Sequence, residues 1–217
     1  EHIKAKVVMV STLTTKDAEV TILAMERGAI DFVTKPGNVI EAKGEDFKKQ
    51  LLSVLTAVYN TQLYKRTTPD TFKPAGVAKH IRPVRTDRKL VALACSTGGP
   101  KALQSVIPYL PKNLDAPVVL VQHMPAGFTK SMADRLNELS EVSVKEAEEG
   151  DVLEKGHVYV APGGMHMEVV KAHGNTHRIK LDDLPPIGGL RPCANIMFDS
   201  LAKTDYDEII CIVLTGM

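Results

Sequence analysis

Residues 90–100 read LVALACSTGGP. An apolar run stops at a serine and a threonine, and two glycines and a proline follow. Apolar runs of this kind fit a strand buried on both faces, as in parallel sheets. Pro100 suits the first turn of a helix. The stretch therefore predicts strand, sharp turn, helix. Such a turn can hold Ser96 at the strand end as a nucleophile, with backbone N–H groups nearby for an oxyanion. It can instead cradle a phosphate, or simply turn the chain. The phosphate reading fits poorly. CSTGGPK has neither the G-x-x-x-x-G-K-[ST] nor the G-x-G-x-x-G spacing, and Pro100 removes one N–H group. The elbow reading is itself incomplete, because Ala94 replaces the first glycine of G-x-S-x-G.

His123 shifts the balance. It ends the next apolar run, APVVLVQHMP. Consecutive parallel strands are often neighbours, so both residues would emerge at one sheet edge. A histidine there could take the proton from Ser96, which is the geometry of acyl transfer. The competing reading is a strand-end histidine bonded to a loop, and the two stand about level. A third group should orient the imidazole. Asp199, Asp205 and Asp207 precede the last strand and read as caps or surface groups. The loop after that strand, IICIVLTGM, is the expected place for an acid, and the sequence ends there.

Outward from these two strands, the chain alternates. In the N-terminal part, KVVMV (6–10) and DFVTKP (31–36) read as strands, and STLTTKDAEVTILAMERGA as a helix capped by Thr14 or Thr15. Its predicted apolar face holds Val20, Leu23, Ala24 and Met25. FKKQLLSVLTAVYNTQLYKR reads as a long amphipathic helix with a stripe of Phe47, Leu51, Leu52, Leu55 and Val58. Residues 67–88 are proline-rich, basic and without apolar period, which is linker composition. Beyond them, strands at KLVALAC, APVVLVQHM, VSVKEA, GHVYVAP, MHMEVVKA, HRIKLDD and DEIICIVLTGM alternate with helices at PKALQSVIPYL, FTKSMADRLNEL and ANIMFDSLAKT. The prediction is an α/β fold: a largely parallel, doubly wound, three-layer Rossmann-like sheet, with the hairpin-like middle adding antiparallel strands at an edge. The N-terminal part holds too few elements for a whole α/β domain, so the chain reads as a fragment cut at both ends.

Composition excludes several classes. Lys+Arg number 27 and Asp+Glu 26, so bulk attraction to nucleic acid or membrane has no support. Trp is absent and aromatics are sparse, which argues against a base-stacking surface. No apolar run reaches the roughly 20 residues of a membrane span, and EHIKAKVVMV lacks the layout of a secretory signal. Three cysteines are too few for a disulfide framework or zinc cluster, and a reducing cytoplasm is the simplest setting. Cys95 and Cys211 lie in apolar runs and should pack as small hydrophobes. His157, His166, His173 and His177 read as solvated turn residues, since HGNTH contains a turn and lacks the helical spacing of a zinc pair. No metal site is expected. Glu146, Glu148, Glu149 and Asp151 read as a solvated acidic turn without Ca²⁺-loop spacing.

Several ordered stretches, ACSTGGPKALQSVIPYLP, VVLVQHMPAGFTKSMADRL, EEGDVLEKGHVYVAPGGMHMEV and IICIVLTGM, resemble the chemotaxis protein-glutamate methylesterases, the CheB family. KVVMVSTLT and AMERGAIDFVTKP resemble the last part of that family's flavodoxin-like response-regulator receiver domain. The resemblance implies a partial receiver over 1–66, a linker over 67–88 and a methylesterase catalytic domain over 89–217. It implies a hydrolase of glutamate γ-methyl esters, and a glutamine deamidase, acting on the cytoplasmic helices of chemoreceptors. In an intact protein it also implies phosphorelay control through a histidine kinase. Ser96 would be the nucleophile, His123 the base, and Thr97 and Met217 the oxyanion region. Ser11 and Lys35 match the receiver switch residues. No cofactor is implied for catalysis, and Mg²⁺ belongs only to the receiver phosphorylation pocket. The family's triad aspartate follows in a T-G-M-G-x-D pattern, past Met217, so these 217 residues alone are expected to hydrolyse esters poorly or not at all. Two departures stand out: Ala94-Cys95 where Gly-Ala is common, and Asn195 where an acidic residue is usual. The competing class is a noncatalytic α/β regulatory or nucleotide-binding protein.

Overall fold

The computed structural model describes residues 5–12, 14–60 and 88–216. Met217 and residues 67–87 of the expected linker lie outside the described residues. From Lys89 onward the chain builds a five-stranded sheet. Its strands are β3 (Lys89–Cys95), β4 (Val118–Gln122), β5 (Ser143–Glu146), β6 (His157–Val160) and β9 (Glu208–Val213). The order is β5-β6-β4-β3-β9 and all pairings are parallel. The chain leaves β3 toward β4 on one side and returns as β9 on the other. The loops after β3 and β9 thus meet at a reversal of strand order, where open α/β sheets place their functional groups.

Both faces of this sheet are covered. Alternate residues of the strands point to opposite sides. Leu93, Cys95, Leu120, Val158 and Val160 face one core, with α4 (Gly99–Gln104) and α5 (Phe128–Leu139). Leu90, Ala92, Ala94, Val119 and Val121 face the other, with α6 (Ala194–Leu201). The strand pair β7 (His166–Lys171) and β8 (His177–Asp182) joins that second layer. This corrects the expected edge strands. β7 and β8 form their own antiparallel ribbon, and the two edges of the main sheet are the parallel strands β5 and β9. Met167, Val169 and Ile179 send one face of the ribbon onto α6 and the sheet, and the outer edge of β8 hydrogen-bonds to residues 150–153.

The N-terminal part pairs β1 (Val8–Ser11) with β2 (Asp31–Thr34) in parallel. Around them lie α1 (Thr15–Glu26), α2 (Val39–Ala42) and α3 (Glu45–Asn60). The short α2 was not foreseen. Thr14 caps α1 by accepting from Asp17 N–H. The buried face of α1 is Ala18, Ile22 and Met25, whereas Val20 and Leu23 are exposed. On α3, Val58 is buried but Leu52 and Leu55 are exposed. The face of α1 is set by what packs against it: Ala18, Ile22 and Met25 share a core with Phe128, Met132 and Ala133 of α5. Phe32 stacks on Phe128 with centroids 4.4 Å apart, and Glu26 accepts two hydrogen bonds from Arg135.

Two histidines expected in solvated turns are buried. His166 is fully buried. Cys193 N–H donates to its Nδ1, leaving Nε2 as the protonated nitrogen facing the Pro185 carbonyl at 3.3 Å. His177 is also buried and stacks on Tyr206. Its Nε2 lies 2.8 Å from the Asp205 carboxylate. Lys171 and Arg88 complete that cluster, so Asp205 ties β7 and β8 to the last residue of the expected linker. Lys171 and Arg88 hold the Asp205 carboxyl down to about 2. Cys211 is exposed on the outer strand β9, contrary to its apolar run, and Cys95 is buried.

Burial lowers the His177 pKa, outweighing the pull of Asp205. A histidine that resists protonation when folded takes up a proton on unfolding. Its contribution is therefore full above its unfolded pKa of about 6.5 and fades as pH falls through that value. We expect His177→Phe to lose less thermal stability than the parent between about pH 7 and about pH 5. Melting curves across that range check this, and parallel pH profiles would contradict it.

Candidate active site

The site is built by register. Cys95 pairs with Gln122, so the residues that follow, Ser96 and His123, leave the sheet side by side. The His123 N–H still donates to Cys95 O at 3.1 Å, extending the parallel ladder by one step. On the other flank Leu214 N–H donates to Ala94 O, and Ser96 N–H donates to Thr215 O at 2.9 Å. The serine is held between the two neighbouring strand ends.

The turn itself is tight. Ser96 O accepts from Gly99 N–H at 2.8 Å. Gly98 takes a left-handed φ of 74°, and α4 begins with Pro100 in its first turn. The Thr215 hydroxyl donates to Thr97 O at 3.2 Å. Gly216, at φ 75°, lies so close to the Ser96–Thr97 peptide that a Cβ there would overlap Thr97 N. Ser96, Thr97 and His123 are each half-buried.

Burial lowers the His123 pKa, which favours the neutral, proton-accepting ring. Its Nε2 is buried with no hydrogen-bond partner among the described residues. The Ser96 and His123 side chains do not bond to each other in this structure; in sites without substrate such contacts are commonly long. No carboxylate among the described residues hydrogen-bonds to His123. Thr97 follows the serine in the turn, and its hydroxyl faces Asp31 at the start of β2. Burial pushes the Asp31 carboxyl up, against hydrogen bonds from Phe32 N–H and that hydroxyl. Met217 lies outside the described residues.

Ser11 and Lys35 come together elsewhere. They follow each other across the β1–β2 ends, with Lys35 N–H donating to Ser11 O at 2.6 Å. The Ser11 hydroxyl is buried and accepts from Thr21 at 2.8 Å. The acidic turn is more structural than expected. Glu146 accepts from the Thr129 hydroxyl, Glu149 accepts from Leu181 N–H, and Asp151 pairs with Lys145. Asp205 and Asp207 pair with Arg88, and Asp205 also with Lys171, so neither carboxylate is engaged with His123.

Sequence reasoning missed Gln122, Thr215 and Gly216. Gln122 carried a signal, as a polar residue closing an apolar run that proves buried throughout. Thr215 and Gly216 carried none beyond their place after the last strand.

A parallel α/β sheet that projects a serine from a strand–turn–helix elbow, beside a histidine on the next strand, defines an architecture suited to acyl transfer. The model of the CheB methylesterase family matches residues 91–217. A protein-glutamate methylesterase/protein-glutamine glutaminase of Geobacillus kaustophilus is 41% identical over 97% of this chain and 60% of its own length. One of Bacillus subtilis is 42% identical, with 97% and 61% covered. The chain thus spans about 60% of the length of these relatives. The crystal structure of the Thermotoga maritima CheB methylesterase catalytic domain superposes with a TM-score of 0.57 at 46% identity, covering 60% of this chain and 68% of that one. The chain belongs to the CheB methylesterase family.

Gly216→Ala should damage the Ser96 turn twice, through its left-handed φ and through overlap with Thr97 N. Gly127→Ala is the control, since Gly127 has φ 85° but open space around it. We expect Gly127→Ala, whose backbone sits at φ 85° and ψ −35°, to cost about 1–3 kcal/mol from backbone alone. Gly216→Ala should add about 1–3 kcal/mol and slow labelling of Ser96 by a fluorophosphonate by roughly tenfold or more. Chemical denaturation and labelling rates measure both, and equal behaviour of the two variants would refute the close-packing account.

Proposed function

We propose that the protein is a protein-glutamate methylesterase, with glutamine deamidation as a second reaction at the same site. The observation that carries this is the paired exit of Ser96 and His123 from adjacent parallel strands, in a chain of the CheB methylesterase family. His123 takes the Ser96 proton as Oγ attacks the γ-carbonyl of a methylated glutamate. The tetrahedral oxyanion faces the Thr97 backbone N–H, with Met217 as a further member of that region. Collapse expels methanol, which leaves with the proton from His123, and a γ-glutamyl ester remains on Ser96. Water, deprotonated by His123, then releases the glutamate side chain. With glutamine the leaving group is ammonia. Chemoreceptor cytoplasmic helices are the proposed substrate, and a cytoplasmic setting follows from that choice.

Residues 1–66 are proposed as the C-terminal portion of a receiver domain, with Ser11 and Lys35 as its switch pair and Mg²⁺ needed only for its phosphorylation. In an intact protein a chemotaxis histidine kinase would supply the phosphoryl group. The contacts that support regulation are Phe32 on Phe128, Arg135 with Glu26, and Asp31 with Thr97. They lie on the loops and helix that follow Ser96 and His123, where a receiver could limit substrate entry.

Ser96→Ala should abolish methanol release from a methylated receptor, and full activity in that variant would overturn the nucleophile assignment. A polypeptide of these 217 residues should run on the order of 10⁴-fold slower than a longer one that adds the T-G-M-G-x-D aspartate. Equal rates would remove that carboxylate from the mechanism. Protection of Ser96 by a nucleotide, in place of acylation, would favour the nucleotide-binding alternative.

A further inference from the structure

Gln122 is a buried amide between the two reactive strand ends, only 2% exposed. Its Nε2 donates to Ser96 O at 3.0 Å and to His123 O at 3.2 Å. Both N–H groups are therefore engaged, and the flipped amide would set its oxygen against two carbonyls. The side chain needs its own room. A Cβ on Gly99 would overlap Gln122 Oε1, so the second glycine of the S-T-G-G turn is the space this amide fills. Oε1 itself is buried without a partner. Burying an oxygen without a partner is unfavourable, and leucine or methionine would fill the same volume without that cost. What the amide adds over an apolar side chain is the pair of hydrogen bonds from its nitrogen.

Ser96 O accepts two hydrogen bonds, from Gly99 N–H at 2.8 Å and from Gln122. A carbonyl loaded in this way polarises its peptide group and strengthens the N–H on the other side. That N–H belongs to Thr97, the residue after the serine, which is the usual oxyanion donor of an elbow. The same amide grips the carbonyl of His123. It sets the height of the nucleophile relative to the base and tunes the oxyanion donor.

We propose that Gln122 is a positioning residue of the esterase, acting through Ser96–Thr97 and His123 without touching substrate. This rests on the reaction assigned above. In the full native polypeptide, Gln122→Met keeps the shape and loses both donors. Its kcat should fall about 10- to 100-fold, short of deleting an oxyanion donor outright, with KM nearly unchanged, and fluorophosphonate labelling of Ser96 should slow in parallel. Gln122→Glu provides a second readout if Gln122→Met does not fold. As a carboxylate it cannot donate, but burial raises its pKa, and the protonated acid regains one donor. The ratio of its kcat to that of the parent, corrected at each pH for the neutral fraction of His123 measured in each protein by NMR, should rise as pH falls. A folded variant of either kind with parental kcat, or a flat ratio in Gln122→Glu, overturns the inference while leaving the esterase assignment intact when Ser96→Ala is dead. Full activity in Ser96→Ala overturns both.

Discussion

The parallel register of β3 with β4 and β9 is the constraint on which the rest of the structure depends. It puts Cys95 opposite Gln122 and Ala94 opposite Val213, so three chain segments leave the sheet at one level. Every later contact in the site follows from that level. Ser96 N–H finds Thr215 O, His123 N–H finds Cys95 O, and Gln122 reaches the Ser96 carbonyl. A slip of one residue would turn Cys95 and Leu93 to the opposite face and break both cores at once. The geometry of the reactive turn is thus held by the burial of the strands beneath it. The small residues Ala92, Ala94 and Cys95, all fully buried, let helices approach the sheet on both sides. Cys95 takes part as a packing group. Burial pushes its thiol up to about 12, which keeps it protonated beside the serine.

The second organising contact is between the N-terminal part and α5. α5 starts at Phe128, five residues after His123, and its buried side holds Met132, Ala133 and Leu136. Ala18, Ile22, Met25 and Phe32 join the same core. An apolar interface of this kind, with the Glu26–Arg135 pair at its rim, couples the position of the N-terminal part to the loop carrying His123. The ion pair is part-exposed and contributes modestly. The stacked phenylalanines and the methionines carry more of the contact.

Much of the fold was legible because its signals are local. Strand cores such as APVVLVQ and the spacing of Phe128, Met132, Leu136 and Leu139 marked β4 and α5 closely. Thr14 marked the start of α1. The readings that failed concern what an element packs against. Val20 and Leu23 looked like the inner face of α1, but its partner is α5, which meets Ala18 and Ile22. MHMEVVKA and HRIKLDD were read correctly as strands, but as edge members of the main sheet. Their pairing into a separate ribbon depends on α6 offering an apolar face. His166 and His177 were assigned to solvent because histidine and nearby glycines suggest turns. Their burial needs Cys193, Pro185, Asp205 and Tyr206, which arrive from distant sequence.

The amino-acid sequence by itself determined the alternation of strand and helix, the strand–turn–helix at Ser96, and the exit of His123 at the next strand end. These follow from hydrophobic period and from glycine and proline chemistry, which act over a few residues. It also carried the family likeness, since motifs survive as ordered short stretches. Tertiary structure alone decided that Gln122 clamps Ser96 and His123, that Thr215 and Gly216 close the other side of the turn, and that Asp31 reaches Thr97. Apart from the bond of Gln122 to its neighbour His123, those contacts join residues 26 to 119 positions apart. Their geometry is set by strand register and by the packing of two cores, and neither is written in any local pattern.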